Sequence, residues 1–409
     1  MGLDIAWEWL AFAVKWAHVV AGVAWIGTSF YFIALDLGLR TASDMPKGVR
    51  GEEWQVHGGG FYHVRKYMIA PPGMPEHLTW FKWESYATWL TGAALMGVLY
   101  YAGAELYLID HEKLPLPVWG AIAISVGSLA IGWVVYDRLC KSPLGRNDIT
   151  LMLALYGLIV VMGWAYAQVF TGRAALLHLG AFTATIMTAN VAHIIMPHQR
   201  KSVAELMAGR EPPAHLGALA KQRSLHNNYL TLPVIFLMLS NHYPLAFAST
   251  YNWLIAALVF LLGVLIRYYF NTYHAHKGVK LWPWGASVAL LAVMAWLSTL
   301  SPPAPSDDFD IEEARAASAS PYLAHADFEE AYDIVLARCA MCHAAAPAWD
   351  GVPVAPKAVL LETPAQVAQH ARAIYLQSAV TRAMPPGNIT YLEPEERAVL
   401  RRWYEQAGR

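Results

Sequence analysis

The sequence predicts an all-α protein: a polytopic eight-helix transmembrane bundle followed by a small, soluble, helical C-terminal domain. Three observations predict it. Of 409 residues, 56% are hydrophobic and only 14% are charged, against about 25% charged in a typical soluble domain. Apolar stretches of near-spanning length recur through the first 300 residues and then stop. Beyond them the chain turns acidic and alanine-rich. The same composition excludes a disordered or collagenous chain. Three cysteines are too few for a disulfide framework. A net charge of −1 offers no basic footprint for nucleic acid.

The apolar stretches lie near residues 6–36, 84–104, 116–136, 149–170, 174–197, 223–243, 251–271 and 284–300. Each is close to the roughly 20 residues that cross about 30 Å of hydrocarbon. Backbone groups in lipid must pair internally, so helices are the expected form. The first stretch is long and lacks a basic leader, which reads as a retained helix and not a cleaved signal. The sixth contains Pro233 and starts beside Asn227 and Asn228, and the eighth is short. Seventeen Trp and 21 Tyr suit helices that cross a membrane interface. Lys and Arg concentrate in connections 1–2, 3–4, 5–6 and 7–8 and are nearly absent from the alternate connections. The positive-inside rule then places both termini outside the cytoplasm. In a bacterial inner membrane that side is the periplasm.

Three domains follow: a membrane body over 1–300, a linker over 301–324 and a soluble domain over 325–409. The linker opens with Ser301-Pro302-Pro303-Ala304-Pro305-Ser306, a stiff composition. Residues 307–409 carry 15 Asp or Glu against nine Lys or Arg.

The C-terminal domain contains Cys339-Ala340-Met341-Cys342-His343. This spacing suits covalent c-type haem, with two thioethers and His343 as an axial iron ligand. A redox dithiol would be expected in a β-α unit, and zinc would need more ligands than this loop offers. Met384, in Arg382-Ala383-Met384-Pro385-Pro386-Gly387, is the expected ligand on the opposite face. Its prolines fix the loop that would lie over a flat cofactor. A helix near 326–338, with Phe328, Tyr332, Val335 and Leu336, precedes the cysteines. A last helix after Pro394, with Leu400, Trp403 and Tyr404 at helical spacing, completes a class-I-like cytochrome c domain.

Eight spans exceed what an anchor needs. Polar and ionisable residues inside spans are costly unless paired or functional. Lys15 and His18 share a face of the first span. The fifth carries His178, Asn190, His193 and His198, and the sixth His226, Asn227, Asn228 and His242. His193 and His226 could meet at one depth, and His178 and His242 at the other. Such groups could ligate a b-type haem, bond across helices or line a substrate path. His18 and His193 are the leading haem-ligand candidates. Connection 1–2 contains His57-Gly58-Gly59-Gly60-Phe61-Tyr62-His63 and reads as an interfacial segment or part of a site. Lys82, Arg200, Lys201 and Arg223 cluster at the cytoplasmic boundary with His198 and His226. Together they suit an anionic heteroaromatic substrate, with Trp or Phe stacking and Arg or Gln binding ring carbonyls.

The ordered segments resemble the PuuD-type membrane-bound urate oxidases, also called urate hydroxylases. The likeness rests on His18 through Gly27, His57 through Tyr62, Trp80-Phe81-Lys82-Trp83-Glu84 and Asn190 through Lys201. Gln222 through Tyr229 continuing to Leu232-Pro233, Asn241-His242-Tyr243-Pro244 and the Cys339–His343 segment complete it. The resemblance implies oxidation of urate to 5-hydroxyisourate in purine degradation; for that anion Lys82, Arg200, Lys201 or Arg223 could offset charge, and His198 or His226 could exchange a proton near neutral pH. It further implies that electrons leave through the cytochrome c domain to a soluble or membrane cytochrome c, or to a terminal oxidase. The rival reading is a quinol-oxidising cytochrome subunit without a purine site.

Overall fold

The computed structural model describes residues 3–407, apart from 72, 74, 111, 112, 301–319, 351, 353, 381 and 382. Most of the expected linker at 301–324 lies outside the described residues.

Each expected apolar stretch is helical. The helices are α1 (Leu3–Gly38), α2 (Trp83–Met96), α3 (Val118–Lys141), α4 (Asp148–Val169) and α5 (Gly172–Ala189). A π turn, Asn190–Ile195, leads from α5 directly into α6 (Met196–Met207). There follow α7 (Ala214–Leu239), α8 (Asn252–His274) and α9 (Trp282–Ser298). Five runs are long and apolar enough to cross a membrane: α1, α3, α4, the continuous α5–α6 run and α8. The rest fall short for different reasons. Helix α2 has 14 residues before a π turn at Gly97–Tyr101, α9 has 17, and the 26 residues of α7 include a long polar run.

Local chemistry sets the boundaries. Asn147 caps α4, its Oδ1 accepting from the backbone N–H groups of Ile149 and Thr150 at 3.0 Å. Thr171 caps α5 by accepting from Ala174 N–H at 3.3 Å. Two glycines set helix approach. A Cβ on Gly132 would stand 1.9 Å from the Phe182 ring, so α3 and α5 could not pack this closely with any other residue there. A Cβ on Gly263 would meet the Pro233 ring at 2.5 Å, so α8 makes room for the proline inside α7.

The expectation of an all-α chain fails between α1 and α2. Strands β1 (Val49–His57) and β2 (Gly60–Tyr67) form an antiparallel hairpin. Gly58 and Gly59 both have positive φ, +60° and +79°, as a two-residue hairpin turn of mirror-image type requires. Across the ladder Trp54 stacks on His63 at 4.1 Å. The Glu52 carboxylate accepts from His63 at 2.8 Å and Arg65 at 2.9 Å. These two partners hold the Glu52 carboxyl below its ordinary range. The glycine run is therefore the turn that sets the register of the pair.

The chain divides into two compact units: residues 1–239 with 251–297, and residues 240–250 with 298–409. In the second unit α10 (Phe328–Arg338) packs against α11 (Pro394–Ala407). Phe328, Ala331, Val335, Leu400 and Trp403 are buried between them. The Trp403 indole N–H donates to the Tyr322 carbonyl at 2.9 Å. Arg338 grips the Glu396 carboxylate with Nε at 3.1 Å and Nη2 at 3.0 Å, and its Nη1 donates to Thr390 O. Burial alone would raise the Glu396 pKa. Hydrogen bonds from Arg338 and from the Glu393 backbone N–H outweigh it and leave the carboxyl below its ordinary value of 4.5. A carboxyl depressed on folding stabilises above its unfolded pKa, and that contribution is lost as pH falls through the folded value. The unfolding midpoint of this unit is therefore expected to hold through neutral pH and drop below about pH 4.5. Thermal melts across pH should show a shallower acid drop in Glu396→Gln. An identical acid profile in the variant would remove this pair from the account.

Candidate functional site

Helix α7 supplies two polar surfaces. On the first, Arg223, His226 and Asn227 share one face through i, i+3 and i, i+4 spacing. Arg223 is 1% exposed and donates from Nη2 to Asp137 Oδ1 on α3 at 2.8 Å. Its Nη1 reaches Asn190 Oδ1 at 3.2 Å, and its guanidinium lies 4.8 Å from the Tyr136 ring centroid. Asn190 opens the π turn and donates to the Tyr136 hydroxyl at 3.0 Å and to Asn227 Oδ1 at 3.1 Å. His226 Nδ1 pairs with the Tyr136 hydroxyl at 2.8 Å. Lys141, on the outer side of Asp137, approaches it at 2.6 Å. Arg223 Nε has no partner here, but the buried cation faces a buried carboxylate, so the network is closed in charge.

The second surface is open. Asn228, fully buried, accepts at Oδ1 from Arg267 Nε at 3.3 Å and from Asn271 Nδ2 at 3.0 Å, both on α8. Arg267 Nη2 donates to Asn271 Oδ1 at 3.0 Å, and Phe30 of α1 lies under the guanidinium at 4.1 Å. Arg267 is 5% exposed and makes no ion pair among the described residues. Arg267, Asn271 and His274 recur at i, i+4 and i+7 and so form one stripe of α8. Three buried atoms here lack a hydrogen-bond partner: Asn228 Nδ2, His274 Nδ1 and Glu53 Oε2 of β1.

The six residues expected to cluster around the substrate divide. Arg223 and His226 meet in the closed network. His198 stands apart, its Nδ1 bonded to the Ile194 carbonyl within its own helical run at 2.7 Å. Lys82 lies 5.7 Å from the Trp83 ring, and Arg200 and Lys201 are exposed on α6. Of the intramembrane histidines, His18 Nδ1 bonds to the Thr88 carbonyl at 3.0 Å and the Thr91 hydroxyl at 3.2 Å on α2. Gly92 lets its ring approach, since a Cβ there would stand 2.9 Å from His18 Cε1. His193 packs on Trp133 at 4.9 Å, and it is Tyr136 that His226 bonds. His178 is fully buried with both nitrogens engaged, Nδ1 with Ala174 O at 2.7 Å and Nε2 with Ser125 Oγ at 2.8 Å.

Asp137, Tyr136, Arg267, Asn271, His274 and Glu53 were not singled out by sequence. Arg267 carried the clearest signal, a lone cation inside a 23-residue apolar helix.

In the C-terminal unit, Cys339 ends α10, and the backbone turns at once, with Cys342 N–H and His343 N–H both donating to Cys339 O. Both thiols are free. His343 Nδ1 donates to the Val359 carbonyl at 2.9 Å, which fixes the ring and leaves Nε2 as the donor atom for a metal. Burial holds this imidazole below its usual pKa, so the ring is neutral near pH 7, the form that ligates. Burial also pushes the Cys339 thiol up to about 12, opposite to the depressed value of a redox-active dithiol. Met384 is half-buried; its N–H donates to Gln377 O at 2.8 Å, and its carbonyl accepts from Arg397 at 3.2 Å. Two thiols on one turn beside a fixed, neutral imidazole fit a c-type haem, the thiols for thioether bonds and the imidazole for the iron.

The profile of one protein family, described as Urate oxidase N-terminal, matches residues 4–298. No curated protein and no solved structure matches the chain.

Proposed function

The chain belongs to the urate oxidase N-terminal family, and from that premise we propose that it is a membrane-bound urate oxidase linked to its own cytochrome c domain. The family match over residues 4–298 carries the reading, because it covers the helical unit in which the buried polar networks lie. The reaction is urate monoanion plus water giving 5-hydroxyisourate, one proton and two electrons. Oxygen enters from water at C5, and dioxygen need not bind.

The electrons require an acceptor. Cys339 and Cys342 would hold a c-type haem through thioethers, and His343 and Met384 would ligate its iron. Bound there, such a haem supplies a one-electron acceptor, so each urate calls for two transfers. The fixed His343 ring supports this assignment. Onward transfer goes to a soluble or membrane cytochrome c or to a terminal oxidase. A b-type haem in the helical unit belongs to the same reading. His18, with Nδ1 engaged and Nε2 without a partner among the described contacts, is suited to be its ligand.

Low charge, five helices of spanning length and the alternation of basic connections support eight spans in a bacterial inner membrane. Both termini, and with them the cytochrome domain, are then periplasmic.

The test is anaerobic addition of urate to the purified full chain while recording haem absorbance. Reduced c-type haem and 5-hydroxyisourate are expected together. Haem that responds to quinol but never to urate would replace this reading with the quinol-oxidising one. A pyridine haemochrome spectrum of the same sample counts b-type against c-type haem.

A further inference from the structure

The two buried arginines of the helical unit differ in one respect that matters for binding. Arg223 faces Asp137 at 2.8 Å, whereas Arg267 bonds to amide oxygens, lies over an aromatic ring and meets no carboxylate among the described residues. A buried cation is costly unless it is paired. Two of its three nitrogens are committed to Asn228 and Asn271, and Nη1 has no protein partner among the described residues. Beside it the fully buried Asn228 keeps an Nδ2 donor that nothing accepts. Donors without acceptors around an unpaired positive charge are the complement of an anion rich in carbonyl oxygens.

We propose that Arg267, Asn228 and Asn271, with Phe30 under the guanidinium, bind an anionic purine ring, and that urate is the occupant. This rests on the urate oxidase reading and deepens it by placing the substrate on α8 and not among the exposed cations of α6. The geometry accounts for ring recognition: Arg267 Nη1 and Asn228 Nδ2 donate to ring carbonyl or deprotonated nitrogen atoms. Phe30 and the guanidinium plane favour a flat ligand. One and two turns further along α8 the stripe continues through Asn271 to His274, whose Nδ1 is buried and unpartnered. Glu53 of the hairpin lies within electrostatic reach of His274 and also has a buried, unpartnered oxygen, Oε2. An imidazole and a carboxylate placed there can exchange protons with a purine N–H.

The test is equilibrium dialysis of radiolabelled urate against the detergent-solubilised full chain, in wild type, Arg267→Gln and Asn228→Asp. The second substitution is isosteric. Its retained oxygen keeps both bonds that Asn228 accepts, its other oxygen replaces the unpartnered donor, and its charge neutralises Arg267. It is expected to melt at or above the wild-type temperature while losing at least about 30-fold in urate affinity. Arg267→Gln is expected to lose a similar factor. Either variant, folded by its melting transition and binding urate within about threefold of wild type, overturns the site. Unaffected variants beside a wild type that binds urate would remove only this site. A wild-type chain that neither binds nor oxidises urate would remove the function itself.

Discussion

Exchanging Asp137 for Asn is expected to destabilise the helical unit by about 3–5 kcal/mol, the largest stability effect of any single substitution in the closed network. The reason is electrostatic. Arg223 is 1% exposed, and its only ion-pair partner among the described residues is the Asp137 carboxylate. Removing that charge leaves the guanidinium buried with amide and aromatic neighbours alone. The reverse exchange, Arg223→Gln, is expected to cost less, since Lys141 still approaches the Asp137 carboxylate at 2.6 Å and is itself 60% exposed. The double variant should lose less than the sum of the two, because neither charge is then left alone. Denaturant or thermal unfolding of the full chain in detergent measures all three. A loss below about 1 kcal/mol for Asp137→Asn would mean that solvent or lipid headgroups already screen the pair.

The second large effect concerns electron output. Replacing both Cys339 and Cys342 by Ala is expected to abolish covalent haem, seen as loss of haem stain on a denaturing gel, and to bring urate-driven haem reduction to background. Radiolabelled urate should still bind, since the site proposed for it lies on α7 and α8. Persistent haem stain in the double variant would refute thioether attachment at this turn. Loss of urate binding together with the stain would mean that the two units do not fold independently.

Much of the helical architecture was legible because it depends on composition over long windows. Each of the eight apolar stretches is a helix, and Asn147, a residue that favours helix N-termini, starts α4. The hairpin was not legible. Gly58-Gly59-Gly60 reads equally as a loop, and the strands mix polar, aromatic and Val residues without the strict alternation that marks a half-buried strand. Only cross-strand partners such as Glu52 with Arg65 show that the pair closes. The candidate site divides along the same line. The polar run at Arg223–Asn228 stands out along the chain and supplies both networks. Its partner Arg267 is a single charge within an apolar helix, and its partner Asp137 lies beside Arg138 and Lys141 at the end of α3, where a charge is unremarkable. Which of them faces α7 is decided by helix packing, which spacing along one helix does not reveal. The histidines show the converse. Sequence places His193 and His226 at one depth, yet one packs on Trp133 and the other bonds Tyr136. Depth fixes height along a bundle and leaves azimuth free.

The closed network also bears on the order in which the chain is made. On the membrane reading, α7 is a poor candidate for lipid on its own, because Arg223, His226, Asn227 and Asn228 stand within two turns of one another. The groups that satisfy its first face, Asp137, Tyr136 and Asn190, all belong to segments synthesised earlier. The acceptor of the Asn227 side-chain amide, the Met187 carbonyl, is also upstream. Arg267 and Asn271, which meet the second face, come later. A nascent α7 therefore emerges to find one half of its surroundings complete, and it holds the other half open until α8 arrives.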